Sequence, residues 1–289
     1  MPSSTPASAT DREHDALKKI LDNPSVALGL VIVVIMAVPA LFAPLVSSID
    51  PTAMAPMERI KPPSASHWFG TDLFGRDVYS RVVHGGRTSL LVGLTVAAIS
   101  IVIGMVIGAA SGYIRVIDAV VMRIMDGLMA IPSLLLAIAM VSVGGASLTS
   151  VVVAITLPEI PRVVRLVRGI VLTIREEAYV EAAVTAGTST VAILWRHILP
   201  NTIAALIVLA SYIGASAVLT EASLGFLGAG ISPEIPSWGN IIAEARVSFQ
   251  IAPWILFFPS ACLVLIVLGV NVLGDGLRDT LDPRLAKKM

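Results

Sequence analysis

The strongest constraint on this chain is a series of long apolar runs without a charged side chain. A helix needs about 20 consecutive, mostly apolar residues to cross a bilayer, and an Asp, Lys or Arg at its centre costs about 2.5–3.5 kcal/mol. Charge-free gaps therefore mark candidate spans. One lies between Asp22 and Asp50, a second between Arg87 and Arg115, and a third runs from Gly127 to Pro158. The third is too long for one span, and Gly144-Gly145 is the natural turn at which to divide it. With two further runs near the C-terminal end, the reading is an all-α, polytopic membrane protein with six transmembrane helices. They fall at about 24–46, 88–112, 119–143, 148–168, 202–223 and 253–274. The first is too long and too far from the start for a secretory signal. Glu159, Arg162, Arg165 and Arg168 recur every third residue and read as one side of the fourth helix where it leaves the membrane.

Composition excludes the alternatives. The chain is 56% hydrophobic and only 14% charged, against about 25% in soluble domains, and its mean hydropathy is +0.87. A water-soluble monomer or a disordered chain is incompatible with these values. Net charge is zero, so no basic face for nucleic acid is expected. Cys262 is the only cysteine, which excludes an internal disulfide; it reads as a small core hydrophobe.

Six spans put both ends on one side. Of the 20 Lys and Arg residues, fourteen fall with the termini and the even-numbered loops, and six fall on the opposite side. Basic residues concentrate in the cytoplasm, so both termini are expected there. Residues 1–22 read as a cytoplasmic tail, of which 1–15 look disordered, and residues 23–289 as the transmembrane domain. In the outer loop 47–87, the segment around Val78, Arg81 and Val83 reads as an amphipathic interfacial helix leading into span two. The outer loop 225–252, with Pro233, Pro236 and Trp238 and with Trp254 just beyond it, reads as an ordered cap.

The informative loop is cytoplasmic, about 172–200. It reads REEAYVEAAVTAGTSTVAILWRHILPN, two short helices with a glycine corner at Gly187. Glu181, Ala182, Ala183, Gly187, Leu199 and Pro200 stand at the spacing of the EAA loop of ABC-importer permeases, which this segment resembles. His197 occupies the place where the general pattern has isoleucine, as in the peptide branch. The segments HWFGTDLFGRDVYSRVVHGGRTSLLVG, MRIMDGLMAIPSLLLAIAM and SLGFLGAGISPEIPSWGNII, with the tail NVLGDGLRDTLDPR, resemble the dipeptide/oligopeptide/nickel permeases. Within those, they resemble the C-type, or second, permease subunit, over about residues 20–285.

The resemblance implies a type I ABC importer permease fold in the cytoplasmic membrane of a bacterium. It implies a homologous second permease, two ATPase domains or subunits and an extracytoplasmic peptide-binding protein as partners. The chain itself would bind no cofactor, with ATP and Mg on the ATPase subunits; no G-x-x-x-x-G-K-[ST] loop occurs in it. The solute would be a di- or oligopeptide, with nickel or glutathione as alternatives within the family. In the implied EAA loop, Glu181 would offer a carboxylate to a basic partner. Ala182 and Ala183 would keep the docking helix thin, Gly187 would allow the corner, and Pro200 would end the second helix just before span five.

Other polar residues have blander readings beside functional ones. Arg123 and Asp126, three apart on one helix face, read as an interface ion pair, with a gate or proton site as the alternative. Glu221 reads as a cavity-mouth or interface carboxylate, and Ser211 and Tyr212 as packing residues. His14, His67 and His84 lack metal-ligand spacing. Gly225, Gly228 and Gly230 follow no strand and read as a turn rather than a dinucleotide site. A secondary transporter or channel would not explain the EAA loop and would carry charges at mid-membrane, which this reading of the spans does not place there. A two-aspartate intramembrane protease built on Asp126 and Asp275 lacks its G-x-G-D motif, because Val272 precedes Leu273-Gly274-Asp275.

Overall fold

The structure is a computed structural model, and it describes residues 23–281. The expected tail 1–22 and the basic residues Arg284, Lys287 and Lys288 lie outside the described residues. Nine helices of eight or more residues organise the described chain: α1 (Pro24–Leu41), α2 (Val78–Tyr113), α3 (Arg115–Met129), α4 (Ser133–Gly144), α5 (Leu148–Ile174), α6 (Ala178–Thr185), α7 (Thr190–Phe226), α8 (Trp238–Ala245) and α9 (Pro253–Leu281). Among the described residues the only β-pairing is an isolated bridge between Thr71 and Asp77. Four helices are long and apolar enough to cross a membrane by themselves: α1, α2, α7 and α9. The bent pair α3 and α4 makes a fifth candidate. The sixth, α5, has 27 residues, about 40 Å and enough to cross, but Glu159, Arg162, Arg165 and Arg168 lower its apolar character.

The third span departs from the sequence reading. In place of one helix over 119–143, the chain bends by 88° between α3 and α4. Pro132 supplies the reason: it disfavours helical backbone at Ile131 and offers no N–H, so α3 stops at Met129 and a new helix starts at Ser133. The chain then turns at Gly145, whose φ is +80°, and Ser147 caps α5 by accepting from the Ser150 N–H.

The loop 47–87 differs from its expectation as well. No separate interfacial helix forms, and α2 runs unbroken through 36 residues from its Asp77 cap, which accepts from the Ser80 N–H. The charges that suggested an amphipathic surface helix are buried instead. Arg81 and Arg76 meet Asp72 at 2.8 and 2.6 Å, and Arg81 also meets Glu244 of α8 at 2.6 Å. Trp238 at the start of α8 is buried too, and its indole N–H donates to the Val82 carbonyl at 2.9 Å. The loop is thus a folded cap pinned to the N-terminal end of α2.

At the centre, α2 and α5 lie side by side. Their closest approach is made by glycines: a Cβ at Gly108 would stand 2.8 Å from Val167, and one at Gly112 2.6 Å from Val171. Gly104 meets Val163 in the same register, so the helices run parallel. Val163, Val167 and Val171 are fully buried there.

Candidate functional site

The EAA segment folds as two helices joined at Gly187. Glu177 opens α6, which ends at Thr185, and the turn beyond it is closed by two backbone bonds. Gly187 N–H donates to the Val184 carbonyl and Thr188 N–H to the Ala183 carbonyl, both at 3.0 Å. This is a Schellman ending, and it requires the left-handed backbone that Gly187 adopts at φ +77°. Ser189 then caps α7, accepting from the Ala192 N–H. A Cβ at Gly187 would meet nothing within 4 Å, so the glycine serves the backbone and not local packing.

Val180 anchors this pair of helices. It is 1% exposed and joins the central core with Ile193 and Ile198. Glu181 and Ala182 face outward, and Ala183 is half-buried against the core. Tyr179, Val184, Val191 and Trp195 are exposed around them, the last two at 75% and 72%. Large apolar side chains left in water next to a carboxylate form a surface that awaits a partner. His197 is half-buried and lies 6.0 Å, ring centre to ring centre, from Tyr179, so it joins the second helix to the first.

Pro200 does not end the second helix. α7 is continuous from Thr190 to Phe226. A wide π-turn over Leu194–Ile198 precedes Leu199 and Pro200, so the residue without an N–H falls at the start of the next α-helical stretch. A proline is tolerated there, and a π-turn absorbs the ring without a break. The second half of the loop and span five are therefore one continuous rod of 37 residues, about 55 Å long.

The ion pair expected between Arg123 and Asp126 is not formed. Both side chains are exposed, and Asp126 pairs with Arg165 of α5 at 2.5 Å. Asp118 pairs with Arg168, whose terminal nitrogen donates at 2.7 Å. The bend at Pro132 lays α3 against the lower half of α5, and the arginines there outcompete the neighbour on the same helix. Glu221 is fully buried rather than at a cavity mouth, and accepts from Ser89 at 2.9 Å.

The reading of α5 as a helix end also needs correction. The parallel register with α2 sets Ser100 beside Glu159 and Ile103 beside Arg162. Those α2 residues flank the middle of the charge-free run between Arg87 and Arg115, so Glu159 and Arg162 lie level with the centre of that apolar run. Glu159 is buried and 3.3 Å from Arg162, whose guanidinium lies 4.9 Å from the centre of the Tyr212 ring on α7. A guanidinium facing lipid at that depth costs about 2.5–3.5 kcal/mol on the insertion scale, so this face belongs to a protein contact or a watery path. The periodicity of these charges was visible in the sequence; their depth was not.

Comparison with known proteins places this architecture. The family described as binding-protein-dependent transport system inner membrane component matches residues 100–287, and the N-terminal TM domain of oligopeptide transport permease C matches residues 14–63. The chain belongs to this family of ABC-importer permeases. It is a C-type subunit of the dipeptide/oligopeptide/nickel group, a multi-pass membrane transport protein and not an enzyme. A protein of Sinorhizobium fredii named probable peptide ABC transporter permease y4tQ is 48% identical, over 95% of this chain and 94% of its own length. The dipeptide transport permease DppC of Alkalihalophilus pseudofirmus is 42% identical over 94% and 90%, and the oligopeptide transport permease OppC of Bacillus subtilis 37% over the same shares. A chain of the MetNI methionine ABC transporter superposes on 67% of this chain and 95% of its own length, with a TM-score of 0.49 and 21% identity.

Proposed function

We propose that this chain forms half of the translocation path of an ATP-driven peptide importer in a bacterial cytoplasmic membrane. A homologous second permease forms the other half. Two ATPase domains or subunits hold the ATP and Mg and hydrolyse the nucleotide, and an extracytoplasmic peptide-binding protein delivers the solute. Both termini and the EAA loop face the cytoplasm, as the distribution of basic residues favours, 13 to 6 with Arg162 set aside. The observation that carries the peptide reading is that relatives 37–48% identical over nearly the whole chain are named peptide, dipeptide or oligopeptide permeases. A relative from Pectobacterium atrosepticum named glutathione permease, at 40%, keeps small modified peptides within the class.

Coupling follows from the geometry of the loop. In this reading α6 docks on an ATPase subunit through Tyr179, Val184, Val191 and Trp195, with Glu181 accepting a charge-assisted hydrogen bond from a basic residue. Ala182 and Ala183 allow close approach. Leu199 and Pro200 lie where the loop enters span five. Val180 and His197 tie α6 to α7, so displacement of α6 swings the whole rod to its outer end at Phe226. The test is uptake of labelled di- and tripeptides, with ATPase activity, by the complete complex in vesicles. Glu181→Lys should abolish uptake and co-purification of the ATPase subunits while the permease remains inserted. Wild-type transport and association in that variant would overturn the coupling role.

A further inference from the structure

The polar cluster level with the centre of that apolar run is not part of the coupling loop and needs an explanation of its own. α5 is largely enclosed, and the open stripe of its second half carries Arg162 and Arg165. Arg165 is neutralised by Asp126. Arg162 is different. Its side chain is 43% exposed, while Glu159 beneath it is only 10% exposed, so the group offered outward is the guanidinium. The contact with Glu159, at 3.3 Å, leaves Glu159 Oε2 without a hydrogen bond. Ser100 Oγ, set beside Glu159 by the register of α2 and α5, is likewise buried without a partner.

Two further observations bear on this level. Pro158 and Pro161 flank Glu159 inside the helix. Neither has an N–H, so the carbonyls of Ala154 and Leu157 lose their usual helical donors; at membrane depth such groups persist only where water or protein meets them. The exposed Tyr212 ring, on the rod that moves with the coupling loop, supports the guanidinium from the side by a cation–π contact.

We propose that Arg162, positioned by Glu159 and Tyr212, is a station on the translocation path that receives the solute's carboxylate. This rests on the peptide reading above, since a peptide with a free C-terminus carries that group through the membrane. Arg suits the role because its planar fork pairs with a carboxylate through two parallel hydrogen bonds, which a lysine cannot reproduce. Tyr212 lies on α7, so motion of the rod would withdraw the ring and change how the guanidinium is held. The same stroke that opens the path would then loosen the station's hold on its anion.

The experiment uses the complete transporter in proteoliposomes with saturating binding protein. Uptake is compared for a dipeptide with a free C-terminus and for its C-terminal amide. Arg162→Met should reduce the maximal uptake rate of the free acid about tenfold and leave the amide unchanged, and Arg162→Lys should fall between. Equal loss for both solutes, an unchanged ratio, or loss of the second permease on purification would overturn the station, the last because it would make Arg162 an assembly contact. A second arm does not depend on the solute. In a Cys262→Ser background, Arg162→Cys should react with a hydrophilic anionic thiol reagent in the assembled transporter. No reaction would place the position against lipid or in a sealed interface and overturn the proposal. If the wild-type complex moved neither solute while position 162 was labelled, the peptide reading and the ligand assignment would fall together, and only the watery location would remain.

Discussion

Gly187 offers the sharpest test of the coupling surface because its structure separates two effects. Its φ of +77° is costly for any residue with a Cβ, by about 1–2 kcal/mol, except that asparagine tolerates this region better. Nothing in the chain lies within 4 Å of the added Cβ, so no clash adds to that cost. Gly187→Ala therefore loses only the backbone term, equivalent to about a 5- to 30-fold shift against the closed Schellman turn, since 1.4 kcal/mol is about tenfold. Gly187→Asn should retain most of the docking. Gly187→Leu has the same backbone cost as alanine and no internal clash, so any excess loss must arise at a partner's surface. The assay is co-purification of the ATPase subunits at graded concentrations, with uptake in parallel. Binding in the order glycine, asparagine, alanine, leucine is expected, with leucine well below alanine. If leucine and alanine matched, no partner would approach position 187. If asparagine were as damaging as leucine, the left-handed corner would not be what the loop needs.

Three further outcomes are expected. A cysteine introduced at Ser189, in a Cys262→Ser chain, should be unreactive to an impermeant reagent applied outside intact cells; labelling would reverse the topology. Arg81 is 1% exposed and shared between Asp72 and Glu244, so Arg81→Met leaves buried Asp72 and half-buried Glu244 with Arg76 as the cation they share, and loses charge-assisted bonds worth about 1.5–3 kcal/mol. A large fall in the detergent melting temperature should follow, and an unchanged one would show that the cap contributes little. His67 is held at 2.9 Å by Asp77 and at 3.0 Å by Glu58, and the Asp77 hydrogen bond, ahead of that from Glu58, raises its pKa. Its stabilisation is therefore complete below the ordinary histidine value, about 6.5, and is lost as pH rises through the elevated folded value. Hydrogen exchange in residues 58–77 should accelerate across that window in the wild type, and His67→Gln should abolish the dependence.

What the sequence determined by itself was governed by local rules and by lipid. Apolar runs without charge specify membrane helices because nothing else satisfies their backbone in hydrocarbon. The corner at Gly187 was legible because its closing bonds span only a few residues, from Ala183 to Thr188. The break at Pro132 was legible too, in the proline itself, yet the apolar run around it suggested one continuous span. Other features had no local signal. The three-residue spacing of Arg123 and Asp126 permits a pair, but α3 bends onto α5 and Asp126 meets Arg165 instead. The charges around Arg81 look like a surface helix until Asp72 and Glu244 close over them. Which residues Glu159 and Arg162 stand beside was decided by packing. Gly104, Gly108 and Gly112 expose bare backbone on α2, Val163, Val167 and Val171 seat against it, and this parallel register sets the two charges level with the middle of α2's charge-free run. A helix cannot specify its own depth when its apolar face is designed for another helix, because the free energy of seating it belongs to the pair.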